Sequence, residues 1–319
     1  MKFKALLTDN GINLLEKRIL PALDKIGKTC HLYLTRDHAF FLHNLLNADG
    51  VQSIAQFKIE SLFHDYRISS QNDDRIAFSI DLSLLHRALR SILAIYAADR
   101  SILDSNGLQI KLVKKLPPHS TQATPFLTLE AKGHKSAVVQ DVPVSKPLSR
   151  ADVQELQLAV ETGQEMPATL VRAPDLNSLQ SFVDRMKHVG DVMGVTVTKY
   201  GDLHLQISTS LITLGAEFRK LMVLGEKAGG VHGEGNLSAQ VRIERAVQRG
   251  DALTVDVSVK HFFKCLQYSL AKPDCAFYGI APQGACLIVI FQFFVPGTRM
   301  TDKSISLHCR LPVLDPGSN

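Results

Sequence analysis

The sequence predicts an α+β protein built from two similar domains, and two observations support that prediction. One pattern, an alternating strand segment followed by an amphipathic helix and further strands, starts four times, near residues 2, 75, 168 and 252. The chain has 319 residues, and a single hydrophobic core usually divides above about 250 residues. Two copies of the pattern therefore make one domain, and two domains make the chain.

The first half of the chain contains the pattern twice. Residues 2–8 alternate as a strand does, and apolar residues then recur at helical spacing over residues 12–26. Three short β-type runs follow, at residues 30–34, 39–42 and 51–59. The order begins again with a strand at 76–80 and a helix at 82–96. Three strands close the domain, at residues 108–113, 126–131 and 137–142.

The second half repeats this order. A strand at residues 168–172 precedes a helix whose apolar positions extend over 176–186. Three strands follow, at residues 195–198, 203–207 and 212–218. The fourth start consists of an alternating strand at 253–257 and a helix at 262–270. Two strands come last, at residues 276–280 and 286–294.

Breaks in these patterns predict the domain boundaries. Three prolines and a polar stretch interrupt the periodicity over residues 143–167, which we interpret as the interdomain linker. The first domain is then 1–142 and the second 168–296, with a glycine-rich irregular insertion at 225–250. Residues 297–319 form a C-terminal extension in which 305–310 has the pattern of one more strand.

The charge balance permits an acidic partner without requiring one. Lys and Arg number 36 and Asp and Glu 31, which gives a net charge of +5 and a pI of 8.9. Residues 1–8 lack the basic start and apolar stretch of a secretory signal. The longest apolar run, residues 285–295, is shorter than the ~18 residues of a membrane span. We expect a soluble protein with no membrane partner.

The four predicted helices share one property, a basic face opposite the apolar stripe. Acidic residues are few on these faces, whereas an ordinary solvated helix face mixes both signs. Helices packed side by side would present a positive lining suited to the phosphates of a nucleic acid, bound without sequence preference. The helix aromatics face the core, which favours duplex over single strands. The predicted DNA-facing residues are Lys17, Arg18, Lys25, Arg87, Arg90, Arg185, Lys260, Lys264 and Lys272. The alternative is that each helix has a plain solvated face.

Several short segments together resemble one known family. They are Met1-Lys2-Phe3-Lys4, Lys28-Thr29-Cys30, Asp141-Val142-Pro143-Val144, Arg185-Met186-Lys187 followed by Gly201-Asp202-Leu203, and Phe293-Phe294-Val295-Pro296. In this order, over residues 1–296, the chain resembles the Hus subunit of the 9-1-1 DNA-damage checkpoint clamp. That family has the sliding-clamp fold of proliferating cell nuclear antigen. Each segment is a weak motif, and the resemblance lies in their sequence of occurrence.

The resemblance implies a crescent of two domains with helices inside and antiparallel sheets outside. Two related clamp subunits would complete a heterotrimeric ring around duplex DNA, opened by a clamp loader, in the nucleus. Exposed strands at the ends of such a crescent need pairing. The implied subunit-interface residues are Ser136, Val138, Gln140 and Val142 in the first domain and Asp202, His204 and Gln206 in the second.

The same resemblance implies a binding site for checkpoint signalling and repair proteins. It lies under the interdomain linker and beside the end of the last strand. The residues that it implies are Phe41, Val144, Phe293 and Pro296. The alternative for Phe41 and Phe293 is that both are core residues.

No enzymatic motif is complete. Gly27-Lys28-Thr29 resembles the end of a phosphate-binding loop, which would need glycine where Ala22 stands. The 12 histidines include no H-E-x-x-H spacing, and the 5 cysteines include no C-x-x-C pair. We expect no catalytic residue, no cofactor and no metal. Two other functions stay open: a homotrimeric replication processivity clamp, and a metal-dependent hydrolase that uses the unassigned histidines and acids.

Overall fold

The structure is a computed structural model, and it describes residues 1–46, 50–98, 107–117, 121–132, 137–229 and 237–314, with the backbone alone for 96–98. The described residues include no helix that combines the length and the hydropathy needed to cross a membrane.

The first half of the chain folds in the predicted order. Its first helical segment is continuous, with a π-helical turn at Leu15–Ile19 between two α-helical parts. Its elements are β1 (Lys2–Leu7), α1 (Asp9–Leu14), α2 (Leu20–Ile26), β2 (Thr29–Leu34), β3 (His38–His43), β4 (Gln52–Lys58), α3 (Ile59–Leu62), β5 (Phe63–Ser69), β6 (Ile76–Asp81), α4 (Leu82–Ala98), β7 (Leu108–Lys115), β8 (Thr124–Lys132) and β9 (Ala137–Pro143).

A helix in the linker leads to the second half, which repeats the first. Short 3₁₀ helices at Gln267–Ala271 and Pro282–Gly284 follow α8 and β16. The elements are α5 (Arg150–Gly163), β10 (Thr169–Arg172), α6 (Leu176–Met186), β11 (Val192–Thr198), β12 (Leu203–Ser208), β13 (Thr213–Phe218), β14 (Val223–Gly225), α7 (Ala239–Gln248), β15 (Ala252–Ser258), α8 (Val259–Leu266), β16 (Cys275–Ile280), β17 (Cys286–Gln292) and β18 (Ile305–Pro312).

Three antiparallel sheets form the outer layer. The first domain contributes a five-stranded sheet of order β5-β1-β7-β8-β9, and the second a four-stranded sheet of order β13-β12-β11-β15. The third sheet has nine strands in the order β14-β10-β16-β17-β18-β4-β3-β2-β6. Its first five strands belong to the second domain and its last four to the first. Each domain therefore consists of one five-stranded and one four-stranded part, which confirms the predicted α+β duplication.

Polar caps start the helices where the alternating strands end. The side chain of Thr8 accepts a hydrogen bond from the N–H of Gly11 at 2.7 Å, and Asp175 accepts one from Ser178 at 2.8 Å. The Asp81 side chain accepts from Leu84 at 2.9 Å in the first turn of α4. The apolar faces that follow these caps pack into one core cluster that extends through both domains.

The C-terminal segment differs from the prediction. Residues 305–312 form β18, which pairs with β17 on one side and with β4 on the other. Leu307, Cys309 and Leu311 on its inner face are at most 1% exposed. The prediction that the second domain ends at residue 296 and that 297–319 is an extension was therefore wrong, because β18 joins the two domains into one sheet.

The linker also differs, because it contains a packed helix. Ser149 and Asp152 form a capping box at the start of α5, and Val153, Leu156 and Val160 are buried on its inner side. These three side chains cover Tyr33 and Phe40 on the outer face of the first-domain sheet. The capping residues and the apolar spacing that indicate this helix are present in the sequence, between the prolines on either side of it.

The segment 225–250 is not irregular throughout. Ser238 caps α7, whose Arg242 and Ala246 are buried against the outer face of the four-stranded sheet. Only two of its residues are buried, so the apolar periodicity that reveals a helix in sequence is missing. The predicted glycine-rich part at 230–236 lies outside the described residues.

The position of β18 gives a first prediction. We expect Leu311→Ala to lower the free energy of unfolding by about 2–5 kcal/mol, because it leaves a cavity where β18 meets β17. Chemical denaturation followed by circular dichroism measures this change. Met300→Ala, a control in the preceding connection where Met300 is 71% exposed, should alter it by less than about 0.5 kcal/mol. Equally small effects of both variants would contradict a core role for β18.

Candidate functional site

Four helical segments form one continuous layer against the sheets. In the first domain α2 packs against α4, and in the second α6 packs against α8. The 3₁₀ helix after α8 packs against α2, so the two pairs meet at the domain junction. Because the apolar side of each helix is buried against the core, the opposite sides share one exposed surface, which we name the helix surface.

The helix surface is rich in cations. Neither α4 nor α8 contains an acidic residue, while α4 contains Arg87 and Arg90 and α8 contains Lys260 and Lys264. Apart from Arg18, every residue of the predicted lining is exposed; these are Lys17, Lys25, Arg87, Arg90, Arg185, Lys260, Lys264 and Lys272. Eight of the nine predicted cations are therefore exposed, and that they face DNA stays a prediction.

Some of these cations have no ion-pair partner among the described residues. They are Lys17, Lys25, Arg87, Arg185, Lys264 and Lys272. Two others form weak pairs: Arg90 lies 3.7 Å from Glu16, and Lys260 lies 3.2 Å from Asp191. Both cations are more than 60% exposed, and ion pairs at such exposure contribute roughly 0–1 kcal/mol. A phosphate group can therefore replace these carboxylates at little cost.

Arg18 has a structural role that the sequence did not reveal. Its guanidinium donates to the carbonyl oxygens of Ala271 at 2.8 Å and Lys272 at 2.9 Å, across the domain junction. It also lies 5.2 Å from the ring centroid of Phe293, within cation–π distance. The prediction that Arg18 faces DNA was wrong, because these contacts use the guanidinium to hold the two domains together.

Strand edges distinguish the two halves of the duplication. In the first copy β9 ends the five-stranded part, and in the second β18 occupies the equivalent place. Likewise β4 and β13 are equivalent ends of the four-stranded parts. β18 and β4 pair with each other inside the chain, whereas β9 and β13 each pair on one side only, with no strand on the other side among the described residues. The other sheet ends, β5, β14, β6 and β15, are edges in both copies.

The predicted first-domain interface lies on one of these unmatched edges. Val138, Gln140 and Val142 are residues of β9, and Ser136 lies outside the described residues. The N–H groups and carbonyl oxygens on the open side of β9 are available to another strand. That this edge is a subunit interface stays a prediction.

The predicted second-domain interface is one strand away from an edge. Asp202 directly precedes β12, and His204 and Gln206 lie in it; β12 pairs with β11 on one side and β13 on the other. The prediction that this strand forms the edge was wrong, because β13 covers it. The backbone N–H of Thr209 donates to the carbonyl of Ile212 at 2.8 Å. Hydrogen-bonded and non-hydrogen-bonded residue pairs alternate from there along β12 and β13, and Gly215 belongs to a non-hydrogen-bonded pair. The N–H of Gly215 therefore points to the open side of β13.

The sequence and fold agree with known proteins. The model of the Hus1-like protein family matches residues 1–299. This chain belongs to the Hus1-like protein family. A human relative named checkpoint protein HUS1 is 26% identical over 225 residues, which are 69% of this chain and 74% of that protein. A relative from Dictyostelium discoideum, named checkpoint protein hus1 homolog, is 26% identical over 210 residues, 66% of this chain and 70% of it.

A solved structure supports the fold independently. Proliferating Cellular Nuclear Antigen from Entamoeba histolytica aligns with a TM-score of 0.58 at 10% identity, over 98% of this chain and 99% of that one. The Hus1-like chain therefore has the sliding-clamp fold, as its sequence predicted.

The predicted client-binding residues do not line a common pocket in this Hus1-like chain. Phe41 and Phe293 are core side chains, 3% and 2% exposed, and Pro296 is exposed after β17. Val144 bridges Ile80 on β6, at the far end of the nine-stranded sheet. Five strand spacings separate β17 from β6, a distance on the order of 20 Å. The prediction was wrong, because it relied on sequence order without the strand order.

A cleft does lie beside the linker helix. Its volume is about 590 Å³, and α5 forms one wall while the β2–β3 hairpin forms the other. The stacked rings of Tyr33 and Phe40 lie at its base, with centroids 5.4 Å apart. The lining includes Arg75, Gln157 and Glu161, so the cleft combines apolar and charged groups.

The metal-site alternative has one candidate cluster among the described residues. Asp202, His204 and Glu217 bring their ligand atoms within 4.8 Å of one another. Two arginines bind Glu217, with Arg242 Nη2 at 2.6 Å and Arg219 Nε at 2.8 Å. Burial acts to raise the pKa of Glu217, but these two bonds outweigh burial and hold the pKa below its ordinary value. The arginines already neutralise this carboxylate, which disfavours a divalent cation at the cluster.

The contrast between two neighbouring cations gives a second prediction. Arg18→Ala should lower the free energy of unfolding by about 1–3 kcal/mol, because two carbonyl hydrogen bonds at the junction are lost. Arg18→Lys should restore little of it, since an ammonium lacks the planar fork that reaches two carbonyls. Denaturant titration measures both variants.

Lys17→Ala, on the exposed side of the same helix, serves as the control and should leave the free energy of unfolding within about 0.5 kcal/mol. A loss as large for Lys17→Ala would contradict the assignment.

Proposed function

We propose that this chain is a non-enzymatic subunit of a heterotrimeric DNA-damage checkpoint sliding clamp. In this function it encircles duplex DNA in the nucleus and tethers checkpoint signalling and repair proteins. The observation that supports the proposal best is the helix surface, where exposed cations from all four helical segments lie in one layer. The names of the two relatives agree, because both are checkpoint proteins.

The chemistry of the helix surface fits a phosphate backbone. Long, exposed Lys and Arg side chains from neighbouring helices can contact successive phosphates of a duplex. Attraction of this kind depends on released counterions, so it is strong at low salt and independent of sequence. A ring that moves along DNA needs both properties.

The two unmatched edges fit ring formation. Because β18 and β4 join two domains within the chain, a strand equivalent to β18 can join β13, and a strand equivalent to β4 can join β9. The two edges differ, so the interfaces are head-to-tail, and head-to-tail contacts close into rings. Since a closed ring has no free end, we propose that a clamp loader opens it on DNA.

Client proteins are proposed to bind on the outer side of the ring near the linker. The cleft beside α5 is the cavity that the structure offers there, in place of the residues that the sequence implied. Its apolar base can hold one anchoring side chain, and its charged rim can orient a peptide.

Assembly gives the test of the ring and a third prediction. We expect the chain and two related clamp subunits to purify together as a 1:1:1 complex, observed by native mass spectrometry. Gly215→Pro removes an N–H on the open side of β13 without breaking the β12 ladder, so assembly should weaken about tenfold or more. Gly215→Ala is the matched control, since its added Cβ lies at an ordinary 3.5 Å from the Leu205 carbonyl.

The opposite results are equally clear. A stable homotrimer of this chain alone would contradict the heterotrimer and favour a replication processivity clamp. Normal assembly of Gly215→Pro would mean that β13 is not the interface.

DNA retention gives a fourth prediction. The double variant Arg87→Glu and Lys264→Glu should release the assembled ring from circular duplex DNA, because two attractive contacts become repulsive. The slope of log affinity against log salt should fall by about two. Gel filtration of the ring on DNA across a salt series measures both. The control, Lys2→Glu with Lys4→Glu, has the same charge change on the exposed side of β1, away from the helices. Equal losses in both would contradict the lining.

A further inference from the structure

Helix α7 packs against the outer face of the four-stranded sheet, in contact with β15 and, through Arg242, with β13. Thr254, Thr196, His204 and Glu217 stand directly opposite one another on neighbouring strands, in a row from β15 to β13. Arg242, in the first turn of α7, binds Glu217 at the β13 end of this row. The last turn of α7 leads through Asp251 into β15 at the other end. The N-terminal turn of α7 is therefore the end of the helix that reaches β13, the strand with the open edge.

A second helix, α5, occupies the same kind of place at the internal joint, which is the pairing of β18 with β4. The C-terminal turn of α5 lies over β4, where the Gln164 side chain donates to the Gln56 side chain at 2.8 Å. From β18, Arg310 donates to the carbonyl of Thr162 at 3.4 Å. Helix α5 thus contacts both strands of the internal joint and covers it from outside.

The two helices are held by equivalent residues of the duplicated fold. The end of β4 reads Ala55-Gln56-Phe57-Lys58, and the end of β13 reads Ala216-Glu217-Phe218-Arg219. Gln56 and Glu217 therefore occupy the same position on the two end strands. Each binds the covering helix through its side chain, Gln56 to Gln164 and Glu217 to Arg242.

We propose that α7 covers the joint between this chain and the neighbouring clamp subunit, as α5 covers the joint inside the chain. The neighbour's end strand, paired to β13, presents a carboxylate side chain to the N-terminal turn of α7. This inference rests on the proposed function, because it requires a neighbouring strand at β13.

The chemistry of the neighbour's side chain follows from the direction of the helix. Helix α5 points its C-terminal carbonyls at the internal joint, where β18 places the cation Arg310 next to them. Helix α7 points its N-terminus at the joint, and a helix N-terminus favours an anion. The strand β9 of this chain shows that end strands can offer one: Asp141-Val142-Pro143 stands where Arg310-Leu311-Pro312 stands on β18.

The charged groups already present at the joint are two arginines and two acids. Arg242 and Arg219 both bind the carboxylate of Glu217, and Asp202 lies beside it. Arg242 is only 7% exposed, and its Nε atom is buried with no hydrogen-bond acceptor among the described residues. Burial lowers the pKa of the adjacent His204, so its ring adds no charge near neutral pH. A carboxylate from the neighbour would therefore meet the N-terminal turn of α7 and the exposed Arg219, whose side chain is 41% exposed.

Site-directed photocrosslinking of the assembled ring tests the proposal. Gln240→Cys places a thiol on the exposed N-terminal turn of α7, and the 5 native cysteines are buried, so a benzophenone maleimide labels that position selectively. We expect crosslinks to the end strand of one neighbouring subunit, identified by mass spectrometry. Gln248→Cys, exposed at the opposite end of α7, is the matched control and should give no crosslink to a neighbour.

A charge variant tests the carboxylate. Arg219→Glu should weaken assembly about tenfold, because it brings like charges together at the joint. Arg249→Glu makes the same charge change at the far end of α7 and should leave assembly within about twofold. Normal assembly of Arg219→Glu, or crosslinks from Gln240→Cys that stay within the chain of a formed ring, would overturn the proposal while leaving the clamp function intact. Failure of the unmodified chain to assemble would overturn both.

Discussion

The pairing of β18 with β4 is the constraint on which the rest of the structure depends. It joins a strand near the C-terminus to one from the first fifth of the chain, and it makes one nine-stranded sheet from two domains. Contacts behind the sheet fix the same junction: Tyr268 binds Ser53 on β4, and Arg18 binds the carbonyls that follow. The helices on the inner side are therefore held in one layer, and their cations become one surface.

The same pairing explains why the chain has two unmatched edges. A duplicated fold with five-stranded and four-stranded parts can pair only one of its two sets of end strands internally. Open strands are costly to a protein in isolation because they invite aggregation. Because the open edges β9 and β13 are the counterparts of the paired strands β18 and β4, they are best accounted for by an assembly in which each open edge meets the other kind of edge on another chain.

The sequence predicted the elements and their faces far better than their neighbours. Periodicity found the four helices and the exposed position of Lys25 or Lys264, because a helix face depends on residues three and four apart. It could not separate Arg18 from Lys17, since the difference lies in Ala271 and Lys272, more than 250 positions away. Strand order is likewise a long-range property, which is why the edge was placed on β12 and the client residues were grouped wrongly.

The two joints differ in a way that suits their roles. The internal one is permanent, and its cover is apolar: Val153, Leu156 and Val160 of α5 are buried, and the amide pair of Gln56 and Gln164 is uncharged. The cover at β13, helix α7, buries Ala246 and the charged Arg242, whose partner Glu217 is half-buried. In the chain alone Arg242 is 7% exposed, but Glu217 and Arg219 stay partly exposed to water, which solvates charged groups well and apolar ones poorly. The change from an amide pair to an ion pair at equivalent positions therefore distinguishes an edge that is always closed from one that is solvated first.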